Sequence, residues 1–198
     1  YDKIDEKNFV IIAGFGRFGQ VVGRFLEAQK IKSTILEKDP DQVERVRQFG
    51  FQGYFGDAAR VEILRSAHAH KAKALVIAVD DVDSCLEIVR ISKENFPNLK
   101  IFARARNRRH AYELHKLEVK YFKREMFESS LLMAQEVMEY LGFDNDEMKS
   151  KADKFRMHDE ATLKKSFEFF DDQIEMISFS KQADGELEKI LSEDRRID

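Results

Sequence analysis

Cysteine is nearly absent: Cys85 is the only one. No disulfide can therefore form within the chain, and a reducing, cytosolic setting fits. Cys85 falls at an apolar position of a helix-period stretch, which reads as a buried structural thiol. There is no basic excess either. Lys and Arg number 34 against 37 Asp and Glu, for a net charge of −3, which argues against a nucleic-acid partner. No apolar run approaches the roughly 18 residues that span a bilayer. The start, Tyr1-Asp2-Lys3-Ile4-Asp5-Glu6-Lys7, is polar, lacks an initiator Met and leads directly into an apolar run. It is no signal peptide and reads as the edge of a segment of a longer protein. Metal-ligand patterns are missing: neither His68 with His70 nor His110 with His115 has helix-face ligand spacing, and one Cys cannot make a cluster. No nucleophile–base pair stands out, and there is no internal repeat or low-complexity tract.

What is present begins with Val10-Ile11-Ile12-Ala13-Gly14-Phe15-Gly16-Arg17-Phe18-Gly19-Gln20-Val21-Val22. An apolar strand runs into a Gly-x-Gly-x-x-Gly turn and then an apolar helix. That order is the phosphate-holding unit of a Rossmann fold. Gly14 allows the tight turn, Gly16 lets backbone approach a phosphate and Gly19 lets helix pack closely on strand. Free N–H groups at the helix start, with the positive end of its dipole, then face an anion, and Arg17 and Phe18 sit in that loop. A second apolar run, 33–36, leads to Glu37, about 20 residues on, where an acid hydrogen-bonds ribose hydroxyls; Lys38 and Asp39 stand beside it.

Hydrophobic residues make up 43% of the chain and charged residues 36%, enough for a core plus long solvated helical faces. Strand-like runs at 9–13, 33–36, 52–55, 74–79 and 100–103, with a short sixth at 119–122, alternate with helix-period stretches at 20–29, 41–49, 60–67, 84–95 and 108–117. Asp39-Pro40 opens the second helix, and Asp83-Ser84 supplies capping side chains for the fourth. Alternating βα units, with strands apolar on both faces, predict a doubly wound α/β parallel sheet over residues 1–123. Over 124–198 the pattern changes to helix, with Phe127, Leu131, Ala134, Val137, Met138 and Leu141 on one face and Gly142 as terminator. A charged, sparsely apolar helical arm follows, and the pair reads as a dimerisation helix and peripheral arm; the alternative is that the stripe packs on its own domain.

Further ligand contacts are expected past the strand ends. These are Gly56, Asp57 and Ala58 after the third strand, and Ala78, Val79 and Asp80 after the fourth. Helix capping is the alternative role for Asp80, Asp81 and Asp83. Arg104, Arg106, Arg108 and Arg109 follow the fifth strand, as arginine forks suited to carboxylates and phosphates; the alternative is a solvated helix start. After 123 nothing resembles a catalytic domain that would shape a substrate beside a nicotinamide, so the nucleotide is read as sensed rather than turned over.

Four blocks carry a resemblance: Ile11-Ile12-Ala13-Gly14-Phe15-Gly16-Arg17-Phe18-Gly19-Gln20, Gly56-Asp57-Ala58, Ala103-Arg104-Ala105-Arg106, and Arg124-Glu125-x-Phe127-Glu128. In order and spacing, over about 9–156, they resemble the cytoplasmic regulatory (KTN, or RCK) domain of bacterial glutathione-gated potassium efflux (Kef) antiporters. The resemblance implies the soluble part of an inner-membrane potassium:proton antiporter, on its cytoplasmic face, attached to a transmembrane portion of the same polypeptide. It implies a homodimer with an adenine nucleotide, AMP or NAD(H), in the Rossmann cleft. It also implies an ancillary oxidoreductase-like subunit as a partner class. Glutathione or its conjugates would bind between protomers to gate efflux. The matching positions are Arg24, Phe49, Asn107 and Arg124, with a position from the partner protomer matching His158-Asp159. Two departures stand out: the family often has Asp at 107 and Asn at 159, and an acid at 159 presents no hydrogen-bond donor at neutral pH. The alternatives are an NAD(H)-dependent oxidoreductase and a freestanding regulatory subunit of a potassium uptake channel.

Overall fold

The computed structural model describes residues 10–170 and 172–192. Six parallel strands form one sheet: β1 (Val10–Ala13), β2 (Ser33–Glu37), β3 (Gln52–Phe55), β4 (Ala74–Ile77), β5 (Lys100–Ala105) and β6 (Tyr121–Arg124). Their spatial order is β3-β2-β1-β4-β5-β6, the doubly wound arrangement expected. Between them run α1 (Arg17–Ala28), α2 (Pro40–Gln48), α3 (Val61–Ser66), α4 (Val82–Asn95) and α5 (Arg108–Lys116). Right-handed crossovers put α1 and α2 on one face and α4 and α5 on the other, because the chain steps in opposite directions on either side of β1. The carboxyl ends of β1 and β4 part at that reversal, which opens a crevice between them.

β1 and β2 are buried on both faces, with Ile11, Ile12 and Ile35 at 1% exposure or less. The two edge strands differ from the expectation of doubly buried strands: Phe55 is 63% and Tyr121 50% exposed, since an edge strand has a neighbour on one side only. Strand β6 starts at Tyr121 rather than 119. Glu118 takes φ +54 and its N–H closes the end of α5 on His115 O, so Val119 is used to return the chain to the sheet. Phe9, in the first expected strand, lies outside the described residues.

Several helix ends also differ. Helix α1 begins at Arg17, inside the glycine motif, instead of at 20. The cap of α4 is Asp81, not Asp83-Ser84: its carboxylate accepts from Ser84 N at 2.7 Å, which starts the helix two residues earlier, at Val82. Asp39 caps α2 as Pro40 enters its first turn.

The chain forms two compact units, Tyr1–Glu125 and Met126–Asp198. The second unit holds α6 (Phe127–Tyr140), α7 (Asn145–Ser166) and α8 (Gln173–Ser192). Gly142, at φ +93, lies just past α6 and supplies the left-handed turn that stops it. Asp144 caps α7 on Glu147 N at 2.9 Å, and Asp172 accepts from Ile174 N and Glu175 N at the head of α8. The charged arm is thus a pair of capped helices packed together.

Candidate functional site

The glycine motif shows three distinct physical roles. Gly14 sits at φ +86, and a Cβ there would stand 3.0 Å from Val79 N and Cγ1; its N–H donates to Leu36 O at 2.8 Å, tying the loop to the end of β2. A Cβ on Gly19 would lie 2.3 Å from Gly14 O, so helix and loop touch backbone to backbone. Gly16 is different: a Cβ there would meet nothing within 4 Å, and its φ of −70° suits any residue. The chain's own packing does not require a glycine at 16. Gly16 is the N-cap of α1, offers no side-chain cap, and the first turn of α1 carries no acid. The amides and positive dipole end at this helix mouth are therefore not neutralised locally.

That mouth opens on a cleft of about 290 Å³ at the β1/β4 reversal. Of the residues expected there, Gly16, Glu37, Lys38, Asp39, Gly56, Asp57, Ala58, Ala78, Val79 and Asp80 line it; Leu36, Gln42 and Asp81 join them. Gly14, Phe15, Arg17, Phe18, Gly19 and Arg104 are not part of the lining. Four loops, one after each of β1 to β4, build the site because parallel strands bring all their carboxyl ends to one edge.

Glu37 stands at the carboxyl end of β2 as expected and is also a loop anchor. Its Oε2 accepts Phe15 N–H at 2.9 Å, and its Oε1 accepts the N–H groups of Lys38 and Asp39 at 2.9 and 3.1 Å. Asp57 closes its own turn on Ala59 N at 2.9 Å. The hydrogen bonds from Ser84 hold the Asp81 carboxyl below the usual carboxylate range. The cleft thus presents acceptors for hydroxyl and amino groups on its walls, and unneutralised amide donors for an anion at the helix mouth, with Lys38 as a cation in the same lining.

Arg104 is placed differently from the sequence expectation of a ligand fork. Its side chain is 6% exposed and its Nη1 meets Asp80 Oδ1 at 2.5 Å and Ala78 O at 3.2 Å. Its Nε and Nη2 engage Glu125, and the guanidinium lies 5.8 Å from the Phe18 ring centroid. These contacts make Arg104 a brace behind the cleft wall, holding Asp80 in place; Arg106 adds a bond from Nη1 to Asp80 O at 3.1 Å. Residue 104 is inside because β5 continues to Ala105, two residues beyond the expected end.

Two titratable groups near this wall are held neutral. Burial pushes the Cys85 thiol up to about 12. His110 is pulled down, first by burial and then by the Arg104 cation; its Nδ1 accepts Arg106 N–H at 3.2 Å, which puts its proton on Nε2.

A second concavity, of about 680 Å³, lies along α1 and α2. Its lining includes Phe15, Gln20, Arg24, Glu27, Gln42, Arg45, Phe49 and Phe51. Two residues from the expected glutathione set, Arg24 and Phe49, meet here, and the Phe49 ring is 79% exposed. Asn107 and Arg124 are not in this lining. Asn107 is the N-cap of α5, its Oδ1 accepting His110 N–H at 2.9 Å, which leaves its NH₂ as the end able to donate; Arg124 closes β6. His158 and Asp159 fall on α7 in the second unit, where His158 Nε2 lies 4.0 Å from Glu186 Oε2. Sequence reasoning missed Gln20, Gln42 and Arg45. The only signal for them is helical spacing, with Gln20 and Arg24 one turn apart on α1 and Gln42, Arg45 and Phe49 on successive turns of α2.

Two family models match the chain: TrkA-N domain over residues 10–122 and Potassium efflux system KefB C-terminal domain over residues 129–198. The glutathione-regulated potassium-efflux system protein KefC of Enterobacter sp. (strain 638) is 41% identical over 196 residues, 98% of this chain and 32% of that protein. The chain therefore spans about a third of the length of the curated relatives it matches. Among solved structures, the Shewanella denitrificans Kef CTD in AMP-bound form is 43% identical, with a TM-score of 0.75 over 81% of this chain and 98% of that one. The TrkA-N domain of the inner membrane protein ybaL from Escherichia coli is 26% identical, with a TM-score of 0.61 over 67% of this chain and 98% of that one.

Proposed function

The chain belongs to the TrkA-N domain family, and on that premise we propose that it is the ligand-sensing cytoplasmic domain of a potassium:proton antiporter. It holds an adenine nucleotide in the cleft and reads glutathione or its conjugates at a dimer interface. It does no chemistry on either. The observation that carries this reading is the open space at Gly16 before an uncapped helix mouth: a small anionic group fits there, and acceptors on the walls suit the ribose and adenine of the same molecule. The relatives support it, one being named for glutathione-regulated potassium efflux and one being AMP-bound.

Glutathione carries two carboxylates, for which Arg24 and Arg124 are bidentate partners. A bulky substituent on its sulfur would press on an aromatic, and the exposed Phe49 ring is free to be displaced. Conjugate and glutathione then differ in affinity for two protomer arrangements, which is what a switch requires. Self-association is supported by α6, which has no buried residue and exposes Leu132, Met133, Val137 and Tyr140, with Leu141 exposed at its C-cap; apolar surface of that kind marks an interface. The transmembrane portion and an ancillary oxidoreductase-like subunit complete the proposed partners.

Calorimetry on the purified chain tests the reading. AMP and glutathione should each bind, and Arg124→Ala should weaken glutathione by roughly tenfold or more with the melting curve unchanged. Unchanged affinity removes Arg124 from the site. Hydride transfer by the NAD(H)-loaded chain in a substrate screen would replace the whole reading with that of an oxidoreductase.

A further inference from the structure

Phe15 stands between the two concavities. On the cleft side its N–H donates to Glu37 Oε2 at 2.9 Å. Its carbonyl accepts from Gln42 Nε2 at 2.9 Å and from Gln20 Nε2 at 3.2 Å. Its buried ring packs on Phe51, with centroids 5.0 Å apart, and on Gly23, where a Cβ would lie 2.6 Å from the ring. The ring therefore has no room to follow a shift of its own backbone without disturbing α1 or Phe51.

Gln42 lines both the cleft and the α1–α2 groove. While its NH₂ holds the Phe15 carbonyl, its Oε1 accepts Nε and Nη2 of Arg45 at 3.1 and 2.7 Å. Turning the amide over would set oxygen against oxygen at Phe15 and NH₂ against guanidinium at Arg45, so only one orientation satisfies both ends. One side chain thus fixes a loop carbonyl at the cleft with its donor and a groove cation with its acceptor.

We propose that Gln42 is the positioning residue that couples the two concavities, and that Arg45 joins Arg24 as an anion contact in the groove. This rests on the reading that the cleft takes an adenylate. A ribose hydroxyl on Glu37 competes with Phe15 N–H for the same carboxylate. The Phe15 peptide then shifts, Gln42 follows its carbonyl, and the Arg45 fork loses or gains its aim into the groove. The groove's charged lining is Arg24, Arg45 and Glu27, two cations and one acid. That set complements a small peptide bearing two carboxylates and one ammonium.

The test is reciprocal calorimetry on the 198-residue chain, with AMP and glutathione each titrated alone and with the other saturating. In the unsubstituted protein, saturating AMP should change the glutathione Kd by about fivefold or more, and glutathione should change the AMP Kd by the same factor, as linkage demands. Gln42→Met removes donor and acceptor together and should bring both factors to near one. Gln42→Glu keeps the acceptor for Arg45 but has no donor for Phe15 at neutral pH; it too should bring both factors to near one, each measured against the variant's own Kd for the ligand alone, since its added charge beside Arg45 weakens glutathione by itself. Arg45→Ala should weaken glutathione by about tenfold, and melting curves confirm that each variant is folded. Ligands that bind the unsubstituted chain without influencing each other overturn the coupling, as does a Gln42→Met protein that keeps it. Failure of AMP or glutathione to bind the unsubstituted chain overturns the proposed function itself, and the coupling with it.

Discussion

In the sheet-bearing unit, Ile11, Ile12, Ile35, Leu64, Leu75 and Ile77 are all exposed by 1% or less. In the helical unit that begins at Met126, the buried residues among those described are Met148, Ala152, Leu163, Ser166 and Ala183, and α6 buries none. The difference follows from architecture. A parallel sheet covered on two faces gives each central strand residue a wall on either side. A few helices laid together bury only a stripe each. The first unit has the interior of a self-supporting domain. The second leaves apolar surface on α6 exposed, Leu132, Met133 and Val137 among it.

The comparison can be broken by cutting equivalent side chains. Leu64→Ala, in a fully enclosed position, should cost about 3–4 kcal/mol of unfolding free energy. Leu163→Ala, at 6% exposure, should cost about 2 kcal/mol or less, because its thinner surroundings collapse more easily. Denaturant titration measures both, and equal costs would mean that the second unit is packed as firmly as the first. Gly19→Ala should cost about 3 kcal/mol, because its new Cβ meets backbone, which cannot rotate away.

Within the first unit, Gly16 sharpens the contrast between residues that serve packing and those that serve a ligand. Gly16→Ala should leave the melting temperature within about 2 °C while weakening AMP by about tenfold, since the space its Cβ takes is empty of protein atoms. A stability loss as large as that of Gly19→Ala would make the whole motif structural.

The smallest effect is expected from His110. Its folded pKa is lowered, by burial and then by Arg104, against the opposing pull of Glu113 and Glu125. The unfolded chain therefore takes up a proton at a higher pH than the folded one. The histidine's contribution to stability is complete above pH about 6.5 and declines as pH falls from there toward the folded pKa. Thermal melts at pH 7.5 and 5.5 should show this loss, and His110→Phe should reduce it; an identical dependence in the variant would assign the effect to other groups.

The roles of Gly14 and Gly19 and the place of Glu37 were readable from spacing because each is fixed by backbone geometry within one βαβ unit. The interior role of Arg104 was not. A cluster of arginines after a strand reads the same whether the strand stops at 103 or at 105, yet two further residues of pleat decide whether residue 104 faces the wall or the solvent. The cap of α4 failed in the same way, since Asp81 and Asp83 are both competent acceptors and only the actual entry path of the chain selects one. Gln42 carried no signal beyond its helical spacing from Arg45 and Phe49. A glutamine on a polar helix face becomes a bridge only when α1 and α2 lie side by side over the same loop.

The amino-acid order alone fixed the alternation of strand and helix, the parallel sheet, the phosphate turn and the acid that follows it, because these depend on local conformational preference and on periods of burial within short stretches. Which side chains share a cavity, which arginine is a brace and which glutamine touches two sites were decided by the folded chain, because those relations join residues brought together only when separate helices and strands pack on one sheet.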